Sequence, residues 1–358
     1  MRTKIKRIVV KIGSSVIAPA GRLDSALVAS LVKDIVNVEK KGYQVIVVSS
    51  GAIACGLNKM GYKKRPSDTH SLMALSSIGQ ILLMDVFNEK CKKHKRACAQ
   101  ILLTWEDFDE RERFINIGKT VDTLLAMKVI PVINENDAIS YKEIRFGDND
   151  HLSALVANLV EAEQLIILSD VEGLMDGDVV VREVSRLDEK IKTLVKQDKK
   201  VHTVGGMVTK LKAAGIAISL GVRTVIACGR RKNVLSAIVA GKEIGTVFLP
   251  LSQEKAKARK RWFAYNKKVK GKLCIDEGAA DALLNKGKSL LVVGICKVEG
   301  AFVKGDTVHV VDTQGCLLGH GLVNYAAQDL QERRERKFEH EVIHRDNFLK
   351  SFEGICYY

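Results

Sequence analysis

A lysine followed by a turn of small residues is the first place where the sequence offers chemistry. Lys11 lies late in a short apolar run that ends at Ile12, and Gly13, Ser14 and Ser15 come directly after that run. A glycine lets a phosphate group approach the backbone closely, and a lysine supplies a point charge for that phosphate. A lysine at the edge of a strand, next to an ordinary turn, explains the same residues. This cluster alone does not decide between the two interpretations.

Three further clusters combine turns with polar side chains. Residues 49–53 (SSGAI) follow an apolar run and open a stretch of helical period, so their N–H groups and hydroxyls can hold a carboxylate. Residues 134–137 (NEND) and 147–150 (GDND) place amides and carboxylates directly beside apolar segments. Burying these groups without partners is costly, which favours a ligand with an ammonium group or a nearby lysine cluster. An ordinary N-cap and solvated turns are the alternatives.

A fifth cluster, residues 205–210 (GGMVTK), leads into another helical stretch. It resembles a phosphate-binding loop, although the Walker A spacing G-x-x-x-x-G-K-[ST] is absent. Ser169 and Asp170 end a further apolar run and can meet a nucleotide. Ligands collect at the carboxyl ends of strands in a parallel α/β sheet, so all five clusters are candidate ligand contacts.

The elements that must position these clusters alternate between β-branched runs and stretches of helical period. This alternation predicts an α/β fold, a mostly parallel sheet sandwiched by helices. The predicted strands span residues 8–12, 45–49, 98–104, 129–133, 165–169 and 224–228. The predicted helices lie around residues 27–36, 72–89, 152–160 and 209–220.

The amino-acid composition and pattern of the chain change after about residue 250. Nine basic residues and no acidic one lie between Lys255 and Lys272, and short runs punctuated by glycines follow at residues 272–275, 289–293, 301–311 and 316–323. Short runs of this kind are typical of a small β barrel. We therefore predict a catalytic domain at 1–250, a basic linker at 251–259, a β-barrel-like domain at 260–338 and a C-terminal tail at 339–358.

Composition narrows the class of protein. Lys and Arg number 57 against 42 for Asp and Glu, a net charge of +15 that favours anionic partners such as nucleotides or nucleic acid. The eight cysteines include no Cys-x-x-Cys pair, which argues for reduced thiols and against zinc or disulfide frameworks. No run of about 18–20 apolar residues is uninterrupted. We expect a cytosolic protein with no signal peptide and no membrane partner.

Taken together and in this order, the clusters resemble the amino acid kinase family. The most specific segments are 49–54 (SSGAIA), 109–114 (DERERF), 129–138 (VIPVINENDA), 147–154 (GDNDHLSA) and 205–210 (GGMVTK). Residues 260–330, with CIDEGA at 274–279, resemble a PUA domain. The resemblance is strongest to the members that phosphorylate the side-chain carboxylate of L-glutamate with ATP, the first step of proline biosynthesis.

The resemblance implies a role for individual residues. The predicted glutamate ligands are Ser50, Asp137 and Asn149, with Asn134 nearby. The predicted ATP contacts are Lys11, Ser169, Asp170, Gly205, Gly206, Met207 and Lys210. The predicted catalytic residues are Lys11 and Lys210, which flank the transferring phosphoryl group, and Asp150, which orients both lysines. No protein ligand for a metal is predicted, because Mg²⁺ bridging the ATP phosphates keeps few protein ligands.

The resemblance further implies proline as a feedback inhibitor and a homo-oligomer. Two departures from the family pattern concern the nucleotide: residues 175–181 (MDGDVVV) are shorter than the usual stretch with its Asp-Pro pair, and Val204 replaces a hydroxyl residue. The alternatives are another amino acid kinase, a degenerate kinase that only binds ligand, and an RNA-binding or regulatory protein. The basic connector and the PUA-like segment motivate the RNA-binding alternative.

Overall fold

The computed structural model describes residues 6–108, 110–139, 149–187, 191, 193–194, 206–250, 269–332 and 338–350. The chain divides into two compact units, the first comprising Met1–Asp107 and Ile115–Lys255 and the second Phe108–Phe114 and Ala256–Tyr358. The boundaries expected at residues 250, 260 and 338 stay predictions. The basic connector, Gly147, Asp148, Val204, Gly205 and most of the basic cluster near residue 334 lie outside the described residues.

An eight-stranded sheet forms the first unit. Its strands are β1 (Lys6–Ile12), β2 (Tyr43–Ser49), β3 (Cys98–Leu103), β4 (Ile130–Glu135), β5 (Gln164–Ser169), β8 (Glu183–Val184), β9 (Arg223–Cys228) and β10 (Thr246–Phe248). Their order is β3-β4-β2-β1-β5-β9-β10-β8. The pairs from β3 to β9 are parallel, and β10 is antiparallel to β9. All six predicted strands are confirmed, as is the mostly parallel sheet.

The helices of this unit follow the strands in the manner of βαβ crossovers. They are α1 (Ser14–Ile17), α2 (Ser25–Lys40), α3 (Ala52–Lys59), α4 (Thr69–Lys93), α5 (Arg111–Ala126), α6 (Asn149–Leu159), α7 (Met207–Ser219) and α8 (Val234–Val239). The four predicted helices are confirmed in α2, α4, α6 and α7. Aspartate side chains cap two of these helices. Asp24 accepts from Leu27 N at the start of α2, and Asp68 accepts from Ser71 N at the start of α4.

The core of the first unit lies on both faces of the central strands. The consecutive residues Ile8, Val9 and Val10 of β1 are almost fully buried, as expected for a strand covered by helices on both sides. On α2 the side chains of Leu31, Val32 and Ile35 are buried, and Asp34 beside them caps α8 by accepting from Leu235 N. This packing fixes the carboxyl ends of the strands relative to one another.

Two glycines allow α3 and α4 to touch backbone to backbone. A Cβ on Gly56 would stand 1.9 Å from Leu75 O, and a Cβ on Gly79 would stand 1.8 Å from Ala52 O. No side chain fits at either position without separating the helices. Ser76 and Gln80 of α4 lie next to this crossing. Ser76 contacts Asp137 in the turn after β4, and Gln80 contacts Asn134 near the end of β4.

Helix α4 is the one described helix with the length and mean hydropathy of a membrane span. Core helices of folded domains pass the same test of length and composition. In this protein Leu83, Phe87 and Cys91 of α4 belong to the hydrophobic core of the first unit.

Residues 175–180 form a hairpin with a two-residue turn. Strands β6 (Met175–Asp176) and β7 (Val179–Val180) pair antiparallel, and Gly177 between them has a φ of 59°. A glycine adopts this left-handed conformation without strain, which allows the tight turn.

The second unit is built on a five-stranded mixed sheet. Its strands are β11 (Val269–Ile275), β12 (Ile295–Gly300), β13 (Thr307–Val311), β14 (Leu317–Leu322) and β15 (Phe348–Lys350), in the order β12-β11-β13-β14-β15. Helices α9 (Glu277–Leu284) and α10 (Ala327–Gln331) accompany it. Within the predicted tail, Val342, Ile343 and Phe348 are buried in this core.

Two expectations for the second unit were wrong in detail. Residues 289–293 do not form a strand: only Leu290 makes an isolated bridge, to Ile343, and a short 3-10 helix follows at Val292–Gly294. Residues 301–306 precede β13 as a loop, so the run predicted at 301–311 is a strand only from Thr307. Apolar content alone does not distinguish a strand from a buried loop.

Candidate active site

One buried carboxylate joins two lysines at the carboxyl end of the main sheet. Asp150 is fully buried, and its Oδ1 forms an ion pair with the Nζ atom of Lys11. Its Oδ2 lies 3.3 Å from the Nζ atom of Lys210. The two lysines are themselves buried, with 4% and 6% of their surface exposed. Two ammonium groups that sequence separates by almost 200 residues therefore meet at one carboxylate.

Three elements bring this trio together. Lys11 is the penultimate residue of β1, Asp150 lies in the first turn of α6, and Lys210 lies in the first turn of α7. Thr209 adds a contact that the sequence did not reveal, because its Oγ1 lies 3.0 Å from Asp150 Oδ2 and 2.7 Å from Gly206 O. The carboxylate is held from three directions, so its orientation is fixed before any ligand arrives.

Asn149, the neighbour of Asp150, is held by amide contacts. Its Nδ2 donates to Ser49 O at 2.5 Å and to Asn134 Oδ1 at 2.7 Å. Asn134 in turn donates from Nδ2 to Gln80 Oε1 at 2.7 Å. Asn134 therefore lies beside Asn149 as expected, but its amide group bonds protein atoms on both sides.

Asp137 stands in the turn after β4, where Ser76 Oγ of α4 donates to its Oδ2 at 2.5 Å. Arg65, from the segment between α3 and α4, is close enough for this carboxylate to act on it. Burial lowers the pKa of Arg65, and the attraction of Asp137 opposes that shift. Ser50 follows β2, and its backbone N–H donates to Ile12 O at 3.1 Å. That bond holds the turn after β2 beside the turn after β1.

A second polar cluster joins the ends of β1 and β5. Ser15 Oγ and Ser169 Oγ each donate to Asp170 Oδ1 at 3.1 Å. Burial raises the pKa of Asp170, but its own backbone N–H, the two serine hydroxyls and the charge of Lys210 lower it further than burial raises it, so the net shift is downward. The Asp170 carboxylate is thus stabilised as an anion near the charge of Lys210.

The described part of the 205–210 loop is the start of α7. Gly206 is the N-cap with extended backbone, and Met207 is the first helical residue. Gly206 has no side chain with which to cap the helix, and a helix start whose N–H groups lack such a partner is a typical place for an anion. Gly205, also predicted to contact a nucleotide, lies outside the described residues.

Comparison with known proteins agrees with this geometry. The sequence model of the "Amino acid kinase family" matches residues 6–228, which contain every site residue discussed above. The chain belongs to the amino acid kinase family. A model of the PUA domain matches residues 271–345 of this amino acid kinase, which lie in the second unit.

Full-length relatives of this amino acid kinase carry a common name. "Glutamate 5-kinase" of Caldanaerobacter subterraneus subsp. tengcongensis is 42% identical, and the alignment covers 98% of this chain and 99% of the relative. "Glutamate 5-kinase" of Syntrophotalea carbinolica is 42% identical, covering 97% and 98%. The protein of the same name from Methylococcus capsulatus is 41% identical over 97% of each chain.

Sequence reasoning missed several side chains in the site of this amino acid kinase. Thr209, Ser76 and Gln80 lie on helices, where a polar residue on an amphipathic face ordinarily faces solvent. Ser15 stood in the first cluster without an assigned partner. Their only common signal is position, because each follows or precedes a glycine within four residues. That signal is too general to select them.

Proposed function

We propose that this chain transfers the γ-phosphoryl group of ATP to the side-chain carboxylate of L-glutamate, giving L-glutamyl 5-phosphate for proline biosynthesis. The observation that carries the proposal is the meeting of Lys11 and Lys210 on Asp150 at the carboxyl end of the sheet. The name shared by the relatives at about 40% identity supports the choice of substrate.

The chemistry requires positioning and charge more than it requires acids and bases. An oxygen of the glutamate side-chain carboxylate attacks the γ-phosphorus, the bond from that phosphorus to the β,γ-bridging oxygen breaks, and ADP leaves with the electron pair. A carboxylate is already ionised at pH 7, so no general base is needed. Lys11 and Lys210 neutralise charge on the moving phosphoryl group, and Asp150 orients both lysines.

The nucleotide arrives as its magnesium complex. Asp150 is occupied by two ammonium groups and a hydroxyl, so its oxygens do not serve as metal ligands. We assign Ser169, Asp170 and residues Gly205 to Lys210 to the nucleotide, with Mg²⁺ carried largely by its phosphates and water. Ser50, Asp137 and Asn149 hold the glutamate, while Asn134 supports Asn149.

A coupled assay of ADP release with millimolar glutamate and Mg²⁺ tests this proposal. Turnover with glutamate supports it; turnover only with acetylglutamate, aspartate or carbamate assigns the chain to another reaction of the family. Lys11→Ala and Lys210→Ala should each lower kcat by about 100- to 1,000-fold while changing glutamate binding little. Lys212→Ala is the matched control, since Lys212 lies on the same helix and is exposed. Near-normal turnover of either buried-lysine variant would contradict the charge-neutralising role.

Three further properties belong to the proposal through the family resemblance: inhibition by proline, assembly into a homo-oligomer and a cytoplasmic location. Adding proline to the same assay tests the first, and light scattering of the purified chain tests the second. Fluorescence microscopy of a tagged chain in its host tests the third.

RNA binding is the second candidate function, and the PUA match at residues 271–345 is the observation that favours it. It predicts that RNA binding by the full chain weakens steeply with salt and is lost when residues 255–358 are deleted. A gel shift that detects no complex at physiological ionic strength would remove this candidate. Limited proteolysis tests the proposed domains at 1–250 and 260–338.

A further inference from the structure

Two cysteines meet where helix α4 ends and strand β3 begins. Cys91 lies in the last turn of α4, and Cys98 is the first residue of β3. Both are thiols rather than halves of a disulfide. The side chains are joined by a hydrogen bond in which the Cys91 S–H donates to the sulfur of Cys98. This pair lies at the amino end of β3, away from the strand ends that carry the candidate active site.

The turn between the two cysteines brings the chain back to the helix. The backbone N–H of Arg96 donates to Cys91 O at 3.1 Å, and Lys95 before it has a left-handed backbone with a φ of 55°. Arg96 Nε also donates to Glu39 Oε2 of α2 at 3.0 Å, which ties the turn to a second helix. Cys98 therefore starts its strand beside the last turn of α4.

The alternation of side chains along β3 also places Cys98 towards α4. Alternate residues of a strand lie on one face, so Cys98 shares its face with Gln100, whose Oε1 accepts from Gln80 of α4 at 3.1 Å. Cys91 is 1% exposed and belongs to the hydrophobic core, whereas Cys98 is only partly buried and packs against that core. The pair thus combines a thiol that solvent reaches with one that it does not.

The hydrogen bond makes the two thiols chemically different. Accepting from Cys91, together with a bond from its own backbone, lowers the pKa of Cys98 by more than burial raises it. Donating to Cys98 and being buried both raise the pKa of Cys91. Because the thiolate and not the thiol attacks an oxidant, Cys98 is the more reactive of the two. Cys91 keeps its proton and lies directly beside it.

We propose that Cys98 and Cys91 form a reversible oxidation site for peroxides, in which Cys98 reacts first and Cys91 resolves the product. The Cys98 thiolate attacks one oxygen of the peroxide and the O–O bond breaks. A sulfenic acid forms on Cys98, and the other oxygen leaves as water or an alcohol after taking up the proton that the Cys98 thiol released.

The second step joins the two sulfur atoms. The sulfur of Cys91 attacks the sulfur of Cys98, the S–O bond breaks, and the departing hydroxide takes up the Cys91 proton and leaves as water. With hydrogen peroxide, two thiols and one peroxide therefore give one disulfide and two waters. Two electrons pass from the sulfur atoms to the peroxide oxygens, so no other oxidant is needed.

The buried partner decides the fate of the oxidised cysteine. A sulfenic acid with no thiol beside it can oxidise further to a sulfinic acid, which thiol reductants do not reverse, whereas a disulfide is returned to two thiols by a reductant. Cys91 therefore protects Cys98 from irreversible oxidation.

Peptide mapping by mass spectrometry tests this inference on the full, folded chain treated with a small molar excess of hydrogen peroxide. For wild type we expect a peptide pair joined through Cys91 and Cys98, lighter by two hydrogen atoms and separated again by dithiothreitol. Cys55 is the internal control, because burial raises its pKa to about 11 and it should stay reduced.

Two variants separate the reacting thiol from the resolving thiol. Cys91→Ala should still be oxidised at Cys98, but as a sulfinic acid, heavier by two oxygen atoms, that dithiothreitol does not remove. Cys98→Ala changes the partly exposed position, which covers the case in which Cys91→Ala does not fold. In that variant oxidation of Cys91 should be slower by at least about tenfold.

Three results would overturn the inference. The first is that peroxide-treated wild type contains no bridge between Cys91 and Cys98. The second is that Cys91→Ala and wild type end with the same product at Cys98, and the third is that Cys91 is oxidised as fast in Cys98→Ala as in wild type.

Discussion

Replacing Asp150 by asparagine tests whether one carboxylate holds the two lysines of the candidate site. Asparagine has nearly the same shape and keeps a hydrogen-bonding group beside Thr209, so the change removes charge and little else. Lys11 and Lys210 are then left buried without their counter-charge. We expect both the stability and the turnover of the protein to fall.

The size of the loss follows from the contacts. At the 3.3 Å that separates Lys210 Nζ from Asp150 Oδ2, and with an effective dielectric constant of about 20, the attraction is about 5 kcal/mol. Desolvation of the three charges offsets most of the gain from both ion pairs. Removing the carboxylate leaves the desolvation cost without the attraction, a loss of about 3–5 kcal/mol. For a unit of this size that lowers Tm by roughly 6–20 °C.

Thermal unfolding with and without sulfate makes the test specific. An anion can take the place of the missing carboxylate between the lysines, so sulfate should raise the Tm of Asp150→Asn by more than it raises that of wild type. We expect kcat to fall by about 100- to 1,000-fold, because the lysines lose their orientation.

The chain provides a matched control. Glu89 also accepts from two lysines, Lys90 at 3.0 Å and Lys93 at 3.1 Å, but it lies on the surface of α4. Glu89→Gln should leave both Tm and kcat unchanged within measurement error. Two results would contradict the role given to burial of the trio. One is that Asp150→Asn changes Tm and kcat as little as Glu89→Gln does; the other is that sulfate raises the Tm of Asp150→Asn and of wild type equally.

Three further changes test other parts of the structure. Thr209→Val removes the hydroxyl beside Asp150 and should lower kcat by about tenfold without changing Tm by more than a few degrees. Gly79→Ala places a Cβ 1.8 Å from a backbone oxygen of α3 and should destabilise the first unit by at least about 2 kcal/mol in denaturant unfolding, whereas Gly118→Ala, whose Cβ would have an ordinary 3.6 Å contact, should be neutral or stabilising. Burial lowers the pKa of His320 from 6.5 to about 4, with a smaller effect of the charge of His309. The unfolded state then binds the proton first, so the contribution of His320 to stability should be constant above about pH 6.5 and fall by up to about 3 kcal/mol towards pH 4. Because burial also lowers the pKa of His309, His320→Phe should reduce this loss of stability without removing it completely, as acid titration of the unfolding free energy would show.

The sheet of the first unit was predictable because each of its longer strands is a short apolar run in the sequence. Runs such as residues 8–12 and 165–169 are apolar throughout, as is typical of strands buried on both faces, and turns end them clearly. The antiparallel β10 and the short β8 were not predicted, since two or three residues carry no period. In the second unit, α9 and β12 were missed because each mixes glycine or charge into a short apolar run.

The residues of the candidate site that lie at the ends of strands could be predicted from the sequence. Lys11, Ser50, Asn134 and Ser169 each stand at or directly after the carboxyl end of a strand, and the parallel order β4-β2-β1-β5 makes these ends neighbours. The approach of Lys11 to Lys210 could not be derived in this way, because it depends on where α7 begins; the family resemblance supplied it. The contact of Gln80 could not be predicted at all, since its partner Asn134 lies far away in sequence.

The buried trio of Lys11, Asp150 and Lys210 and the amide contacts of Asn149 solve the same physical problem at two consecutive residues of α6. A lysine pair with one carboxylate in a core is rarely the most stable arrangement, and apolar side chains of equal volume are often better. The arrangement is useful only where charge is needed at a fixed place, as it is when a phosphoryl group moves between two oxygens. Asn149 and Asp150 are adjacent at the start of α6, so the hydrogen bonds that hold Asn149 to Ser49 O and Asn134 also anchor the backbone that carries Asp150. In the proposed function, placement of the amino acid by Asn149 and placement of the phosphoryl group by the lysines on Asp150 are therefore coupled through two consecutive residues.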